Sequence, residues 1–227
     1  MFTRLAAGAG LAALVVACAC TEKKPGNPLL LSPDSATVAA AGPDSFVVHF
    51  ETSRGNFDMK VHRDWAPRGA DRVFYLVNSG FYDSTKFFRV LDGFLAQFGI
   101  NGEPAVSRVW KTRKLPDDPA RHPDVRGTVT FASEGPNTRS TQLFINYKNN
   151  AYLDKEGFAT VGEVVNGMGV VDSLYDGYGE GPPGGIGPNQ SRIAQQGNAY
   201  LDKFFASLDF IKSARVTARW PAKAGQP

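Results

Sequence analysis

Apolar and polar residues alternate over residues 56–62, where Phe57, Met59 and Val61 are each separated by a polar side chain. This is the period-two signature of a strand with one buried face. Residues 47–52 supply a partner strand, and Ser53-Arg54-Gly55 a turn between the two. The period changes at Pro67. Val73, Leu76 and Val77 then share one helical face, with Pro67 opening the helix and Gly80 following it as a C-cap. Further strands are predicted near 85–91, 94–98, 127–132, 142–146 and 158–165, with a short helix from 167 to 174. Tyr200, Leu201, Phe204, Phe205 and Leu208 have helical spacing, and a last strand spans 210–219. The pattern lapses over 99–126, which holds Pro104, Pro116, Pro119 and Pro123 and reads as loop, and again over the Gly- and Pro-rich residues 177–188. Many short strands and few helices argue for a sandwich or closed barrel.

Two of these strand regions carry polar groups among large apolar ones. Residues 87–97 read Phe87-Phe88-Arg89-Val90-Leu91-Asp92-Gly93-Phe94-Leu95-Ala96-Gln97. Strict alternation puts Phe87, Arg89 and Leu91 on one face and Phe88 and Val90 on the other, with Gly93 permitting a turn. Arginine is almost never buried without a partner. Arg89 therefore fits either the wall of an open apolar groove, with the Gln97 amide oxygen accepting from its guanidinium, or a strand edge where its stem is covered and its head is in water. In residues 131–146, Gly135-Pro136-Asn137-Thr138 is turn chemistry. The run after it sets Gln142, Phe144 and Asn146 on one face and Leu143 and Ile145 on the other.

Together these segments resemble the cyclophilin-type peptidyl-prolyl cis/trans isomerases. The family signature, Phe-x-Arg-x-x-x-Gly-Phe-x-x-Gln followed by Ala-x-x-Gly-Pro-Asn-Thr and then Ser/Thr-Gln-x-Phe-Ile, is met at 87–97, 132–138 and 141–145. A third piece, Tyr152-Leu153-Asp154 with Gly157-Phe158-Ala159-Thr160-Val161-Gly162, agrees as well. The resemblance implies a mostly β fold: a closed antiparallel eight-stranded barrel capped by two helices, here with an extra Gly/Pro loop and helix before the last strand. It implies isomerisation of Xaa–Pro bonds in polypeptide substrates, with no cofactor and no metal. Arg89 matches the family's catalytic arginine and Gln97 the glutamine beside it. Phe87, Phe94, Leu95, Phe144 and Leu153 match the proline slot. Ala132 and Ser133 match the stretch whose backbone binds extended peptide, with Gln142 farther along the groove. Tyr152 and Phe158 stand where many relatives have Trp and His, and Ser133 where they have Asn. A non-catalytic peptide-binding or holdase module on the same fold is the alternative; such modules usually lose the arginine or fill the slot.

Composition narrows the remaining choices. The 227 residues carry a net charge of +3, and Lys111-Thr112-Arg113-Lys114 is a solitary basic cluster, better read as a solvated loop than as a nucleic-acid contact. Residues 1–17 have a signal peptide's form: Arg4, then a short apolar stretch, then Val15-Val16-Ala17-Cys18. That ending resembles the bacterial lipoprotein processing box and makes Cys18 the expected lipidation site, with Cys20 or a plain secretory leader as alternatives. The protein is then expected in the bacterial cell envelope as a monomer, meeting the membrane through the anchor alone. Both cysteines, Cys18 and Cys20, lie outside the expected globular part. Residues 18–44 read as a flexible tether on which Leu29-Leu30-Leu31 is a candidate for packing against the domain. Residues 45–220 read as the globular domain and 221–227 as a disordered tail. Hydrolase chemistry has no Gly-x-Ser-x-Gly elbow to rest on. His49, His62 and His122 read as fillers and Asp117-Asp118 as a solvated pair. The spaced glycines at 177, 179 and 181 lack the strand and lysine of a phosphate loop.

Overall fold

The computed structural model describes residues 26–221. The leader, Cys18, Cys20 and residues 222–227 lie outside them. Two short helices, α1 (Pro28–Leu31) and α2 (Ser35–Val38), precede β1 (Ser45–Thr52), β2 (Gly55–His62) and α3 (Pro67–Asn78). β3 (Arg89–Leu91), β4 (Leu95–Phe98), α4 (Pro104–Lys111), β5 (Thr128–Phe131) and β6 (Leu143–Asn146) follow. A 3-10 turn (Ala151–Glu156), β7 (Thr160–Asn166), α5 (Met168–Asp172), α6 (Gln190–Gln196), α7 (Asn198–Phe204) and β8 (Ile211–Trp220) complete the chain.

The strands form one eight-stranded sheet in the order β3-β4-β6-β5-β7-β2-β1-β8, antiparallel at every pair. The closed barrel is corrected in one respect. The edge strands β3 and β8 share no continuous ladder and meet only beside them, through the isolated bridge between Lys86 and Phe210. β3 is too short to pair along the length of β8. The predicted alternation does hold on β2, where Phe57, Met59 and Val61 are buried. They join Phe46, Val48 and Phe50 of β1 and the Val73, Leu76 and Val77 stripe of α3 in the main core.

Three regions depart from the sequence reading. The tether assigned to residues 18–44 is docked on the domain from residue 26 onward. Leu30 and Val38 enter the core, the Trp110 indole donates to the Leu30 carbonyl at 3.1 Å, and Arg113 Nη2 donates to the Pro33 carbonyl at 3.0 Å. The 99–126 loop contains α4, whose Val106 and Trp110 are buried. Lastly, the extra helix expected before the last strand is a pair, α6 and α7, packed into the body of the fold. Their Ile193, Tyr200 and Leu201 form a second core with Phe88 and Ile100. His62 and His122 sandwich the Trp65 ring, with centroids 4.1 and 3.9 Å away.

The Asp117-Asp118 pair is likewise not a simple solvated one: Asp117 stays about one-third exposed, but Asp118 does not. Asp118 is buried and accepts from the backbone N–H groups of Arg68 and Gly69, at 3.1 and 2.8 Å. The first turn of α3 has no side-chain cap of its own, so a carboxylate from a distant loop satisfies its open donors and meets the positive end of its dipole. Buried Arg139 completes the cluster, reaching Asp117 and Asp118 at 3.2 Å each and donating also to the Pro116 carbonyl.

A second buried carboxylate makes stability depend on pH. Asp124 Oδ1 accepts from Thr130 Oγ1 and from Asn146 Nδ2, but Oδ2 is enclosed with no donor facing it. Burial, with the Asp154 carboxylate adding to it, pushes the Asp124 carboxyl up to about 6 from 3.8. The folded state therefore keeps a proton that the unfolded chain has released. The stability this group contributes is full below pH 3.8 and is lost as pH rises through about 6. Asp124→Asn keeps the accepting oxygen and puts a donor where Oδ2 stands. We expect it to raise unfolding stability at pH 7 by on the order of 2 kcal/mol and to change little below about pH 4. Urea titrations at both pH values check this; equal effects at the two would mean that Asp124 folds ionised.

Candidate functional site

A tight hairpin positions the first two groups. Asp92 and Gly93 turn β3 into β4, with Gly93 at φ 61°, a left-handed conformation that glycine adopts without penalty. The register sets Arg89 directly opposite Gln97, and Arg89 Nη1 donates to Gln97 Oε1 at 3.1 Å. Gln97 Nε2 in turn donates to Gln142 Oε1 at 2.8 Å. On β4, Ala96 and Phe98 enter the main core, while Leu95 and Gln97 face the other way and line the site. β6 repeats the arrangement, with Leu143 and Ile145 in the main core and Phe144 on the site face.

Leu95, Phe144 and Leu153 form a small apolar cluster walled by Phe94, Ala132 and Phe158. The Phe144 and Phe158 rings meet edge to face with centroids 5.9 Å apart. The Arg89 guanidinium lies over the Phe94 ring, 5.8 Å from its centroid. These residues, with Gln97, Ser133 and Gln142, line one open groove of about 470 Å³. Ala132 donates its backbone N–H to the Gln142 carbonyl, fixing that wall. A notch with apolar sides and a cationic donor at its lip admits a small apolar ring and offers hydrogen bonds to the polar backbone beside it.

Two expected site residues lie elsewhere. Phe87 is fully buried in the main core, its ring 5.2 Å from that of Phe98. Alternation misplaced it because β3 begins only at Arg89, and residues 86–87 instead bridge to 209–210. Phe87 thus packs with Val90 in the main core, while Phe88 turns to the second core. Tyr152 is 53% exposed and outside the groove lining, because it sits on the outer side of the 3-10 turn that buries Leu153.

The structure also adds groups to the site. Trp110 and Lys111 of α4, with Phe81 and Asn101, extend the groove beyond Gln142. The larger addition is Glu180, from the Gly- and Pro-rich loop at 177–188. Arg89 Nε donates to both Glu180 oxygens at 2.9 Å, and Nη2 donates to Oε2 at 2.7 Å. The hydrogen bonds from Arg89 hold the Glu180 carboxyl below the usual carboxylate range. Its one local signal is a lone acid between Gly179 and Gly181.

Comparison with known proteins places these residues in context. The family model described as cyclophilin type peptidyl-prolyl cis-trans isomerase/CLD matches residues 47–191. A Brucella abortus (strain 2308) protein named probable peptidyl-prolyl cis-trans isomerase is 33% identical over 152 residues, covering 62% of this chain and 76% of that protein. Peptidyl-prolyl cis-trans isomerase A of Dickeya dadantii (strain 3937) is also 33% identical over 152 residues, covering 64% and 79%. Among solved structures, a Cryptosporidium parvum cyclophilin type peptidyl-prolyl cis-trans isomerase aligns with a TM-score of 0.55 at 19% identity, over 77% of this chain and 99% of its own. The same protein in the presence of the dipeptide Ala-Pro aligns with a TM-score of 0.55 at 20% identity, over 76% and 99%. At that identity the structural likeness speaks for the fold.

Proposed function

The chain belongs to the cyclophilin-type peptidyl-prolyl cis-trans isomerase family, and from that premise we propose that it catalyses rotation about Xaa–Pro bonds in polypeptide substrates, with Arg89 as the catalytic residue. The observation that carries this reading is the Arg89 guanidinium, held by Gln97 at the lip of a notch built from Phe94, Leu95, Phe144, Leu153 and Phe158.

Amide resonance sets a barrier of about 18–20 kcal/mol to peptide rotation. No covalent bond breaks, so neither a nucleophile nor a metal is required. As the bond twists, the imide nitrogen loses conjugation and gains a lone pair. A donor aimed at that nitrogen stabilises the twisted form more than either planar form, which lowers the barrier by differential binding. The notch takes the proline ring. Gln97 orients the arginine and is itself oriented by Gln142. Phe158, where many relatives carry His, makes the notch drier. Ala132 and Ser133 offer backbone groups to the extended chain before proline.

We further propose that the substrates are exported proteins and that the enzyme assists their folding as a monomer in the bacterial cell envelope, lipidated on Cys18. The leader and its Val15-Val16-Ala17-Cys18 ending support that location. No helix among the described residues is long and apolar enough to cross a membrane.

A protease-coupled assay on a proline tetrapeptide tests the central claim. Uncatalysed exchange takes about tens to hundreds of seconds, and a sub-stoichiometric amount of the protein is expected to shorten it to a few seconds or less. Unchanged exchange together with suppressed aggregation of an unfolded client would instead establish a holdase.

A further inference from the structure

We propose that Glu180 is a positioning residue for the isomerase reaction, holding the plane of the Arg89 guanidinium so that its free N–H groups meet the twisting imide; this rests on Arg89 being the catalytic donor. An arginine side chain carries considerable rotamer freedom, and Gln97 restrains it at Nη1 alone, through one bond of 3.1 Å. Glu180 engages the opposite side, Nε and Nη2, in the two-point geometry that fixes a guanidinium's orientation as well as its position. With Gln97 and Glu180 both in place, three of the five guanidinium N–H groups are committed. One on Nη1 and one on Nη2 remain for substrate, so the carboxylate orients the fork without filling it.

The loop bearing Glu180 is itself held. Glu180 Oε1 accepts from the backbone N–H of Gly181 at 2.9 Å, and the Glu180 carbonyl accepts from that of Gly187 at 2.8 Å. Gly187 lies so close to the carbonyl oxygens of Tyr178, Gly179 and Glu180 that a Cβ there would come within 2.8–3.0 Å of all three. The Tyr178 ring packs edge-on against Phe205 of the second core, at 5.0 Å. A carboxylate on a braced loop is preorganised, as a group that orients a transition-state donor must be. The depressed Glu180 carboxyl keeps its charge through the neutral range.

The test compares Glu180→Ala and Glu180→Gln with the parent and with Arg89→Ala in steady-state isomerisation, and follows the Arg89 Nε–H resonance by 15N NMR. Misplacement of a reacting group by about 1 Å costs up to about 10²-fold in rate, so we expect Glu180→Ala to lose about tenfold or more in kcat with little change in KM. Glu180→Gln, which keeps one acceptor, is expected to recover part of the loss. The Nε–H resonance should be sharp and slowly exchanging in the parent and broadened in Glu180→Ala, while the Tyr178 and Phe205 resonances stay put. Rates within twofold of the parent in Glu180→Ala, alongside an inactive Arg89→Ala, would overturn the positioning role and leave the arginine reading intact. A faster Glu180→Ala enzyme would overturn it too, making Glu180 an occupant that substrate must displace. A loss of rate accompanied by collapse of the Tyr178–Phe205 resonances in both Glu180 variants would assign the effect to the loop alone. An active Arg89→Ala would remove the premise.

Discussion

Arg89→Ala is expected to lower kcat/KM for a proline tetrapeptide by about 10²–10³, the loss found when one transition-state donor is removed from a preorganised site. The expectation follows from what the substitution removes and what it leaves. It deletes the guanidinium that Gln97 and Glu180 hold but leaves the notch of Leu95, Phe144 and Leu153 built. Peptide binding should therefore persist while the rate falls, which is how loss of an interaction made chiefly in the transition state shows itself. Folding should survive. The ion pair with Glu180 is partly exposed, with side-chain accessibilities of 20% and 40%, and such pairs contribute about 1 kcal/mol or less. Arg89→Lys should be nearly as slow, because a single ammonium cannot offer two edges to two partners and a third to substrate. Steady-state kinetics with a circular dichroism control checks both variants. An Arg89→Ala enzyme within about threefold of the parent would take the arginine out of the mechanism.

The largest stability effect is expected at Arg139. Its side chain and that of Asp118 are each 1% exposed. Truncating the arginine leaves a buried carboxylate with the backbone N–H groups of Arg68 and Gly69 and the largely exposed Arg68 guanidinium, 3.8 Å away, to offset its charge. Removing one partner of a buried ion pair costs about 3–5 kcal/mol. We expect Arg139→Met to lose about 3 kcal/mol, the retained backbone donors placing it toward the lower end of that range. Adding Asp118→Asn should restore part of the loss, because no uncompensated charge then stays inside. Urea midpoints at pH 7 for the single and double variants measure this. A loss under about 1 kcal/mol would mean that neighbouring groups relax to solvate Asp118. The site should feel the change as well, since Arg139 lies in the segment between Ala132 and Gln142 that forms one groove wall.

How far the molecule was legible in the sequence follows from the range of each interaction. Alternation is local, so the β1–β2 hairpin, the α3 stripe and the separation of Phe144 from Leu143 and Ile145 can be read directly, whereas Leu95, Gln97 and Phe144 are brought to one site only by the family resemblance. The register of Arg89 against Gln97 followed from a turn at Gly93 only a few residues away. Phe87 was misread because alternation was continued past the end of a three-residue strand. The α4 helix was hidden by its shortness and by the prolines around it, and its burial comes from Leu30 and other distant partners. Asp118 looked like any acid in a Pro-rich loop, because the α3 terminus and the arginine that need it are distant in sequence. Glu180 was out of reach for the same reason, lying 91 residues from the arginine it holds. Periodicity says which way a side chain points, not which remote segment will arrive opposite it.

The docking of residues 26–44 onto α3 and α4 would shorten the tether of the lipid anchor proposed above. With Cys18 lipidated as proposed, only the stretch between that residue and Gly26 is left to span the distance to the lipid surface, and at full extension it reaches roughly 30 Å. That standoff is about the width of one small domain. The groove would then sweep a thin layer above the bilayer rather than the bulk of the compartment, favouring chains that are still emerging from, or resting on, the same membrane.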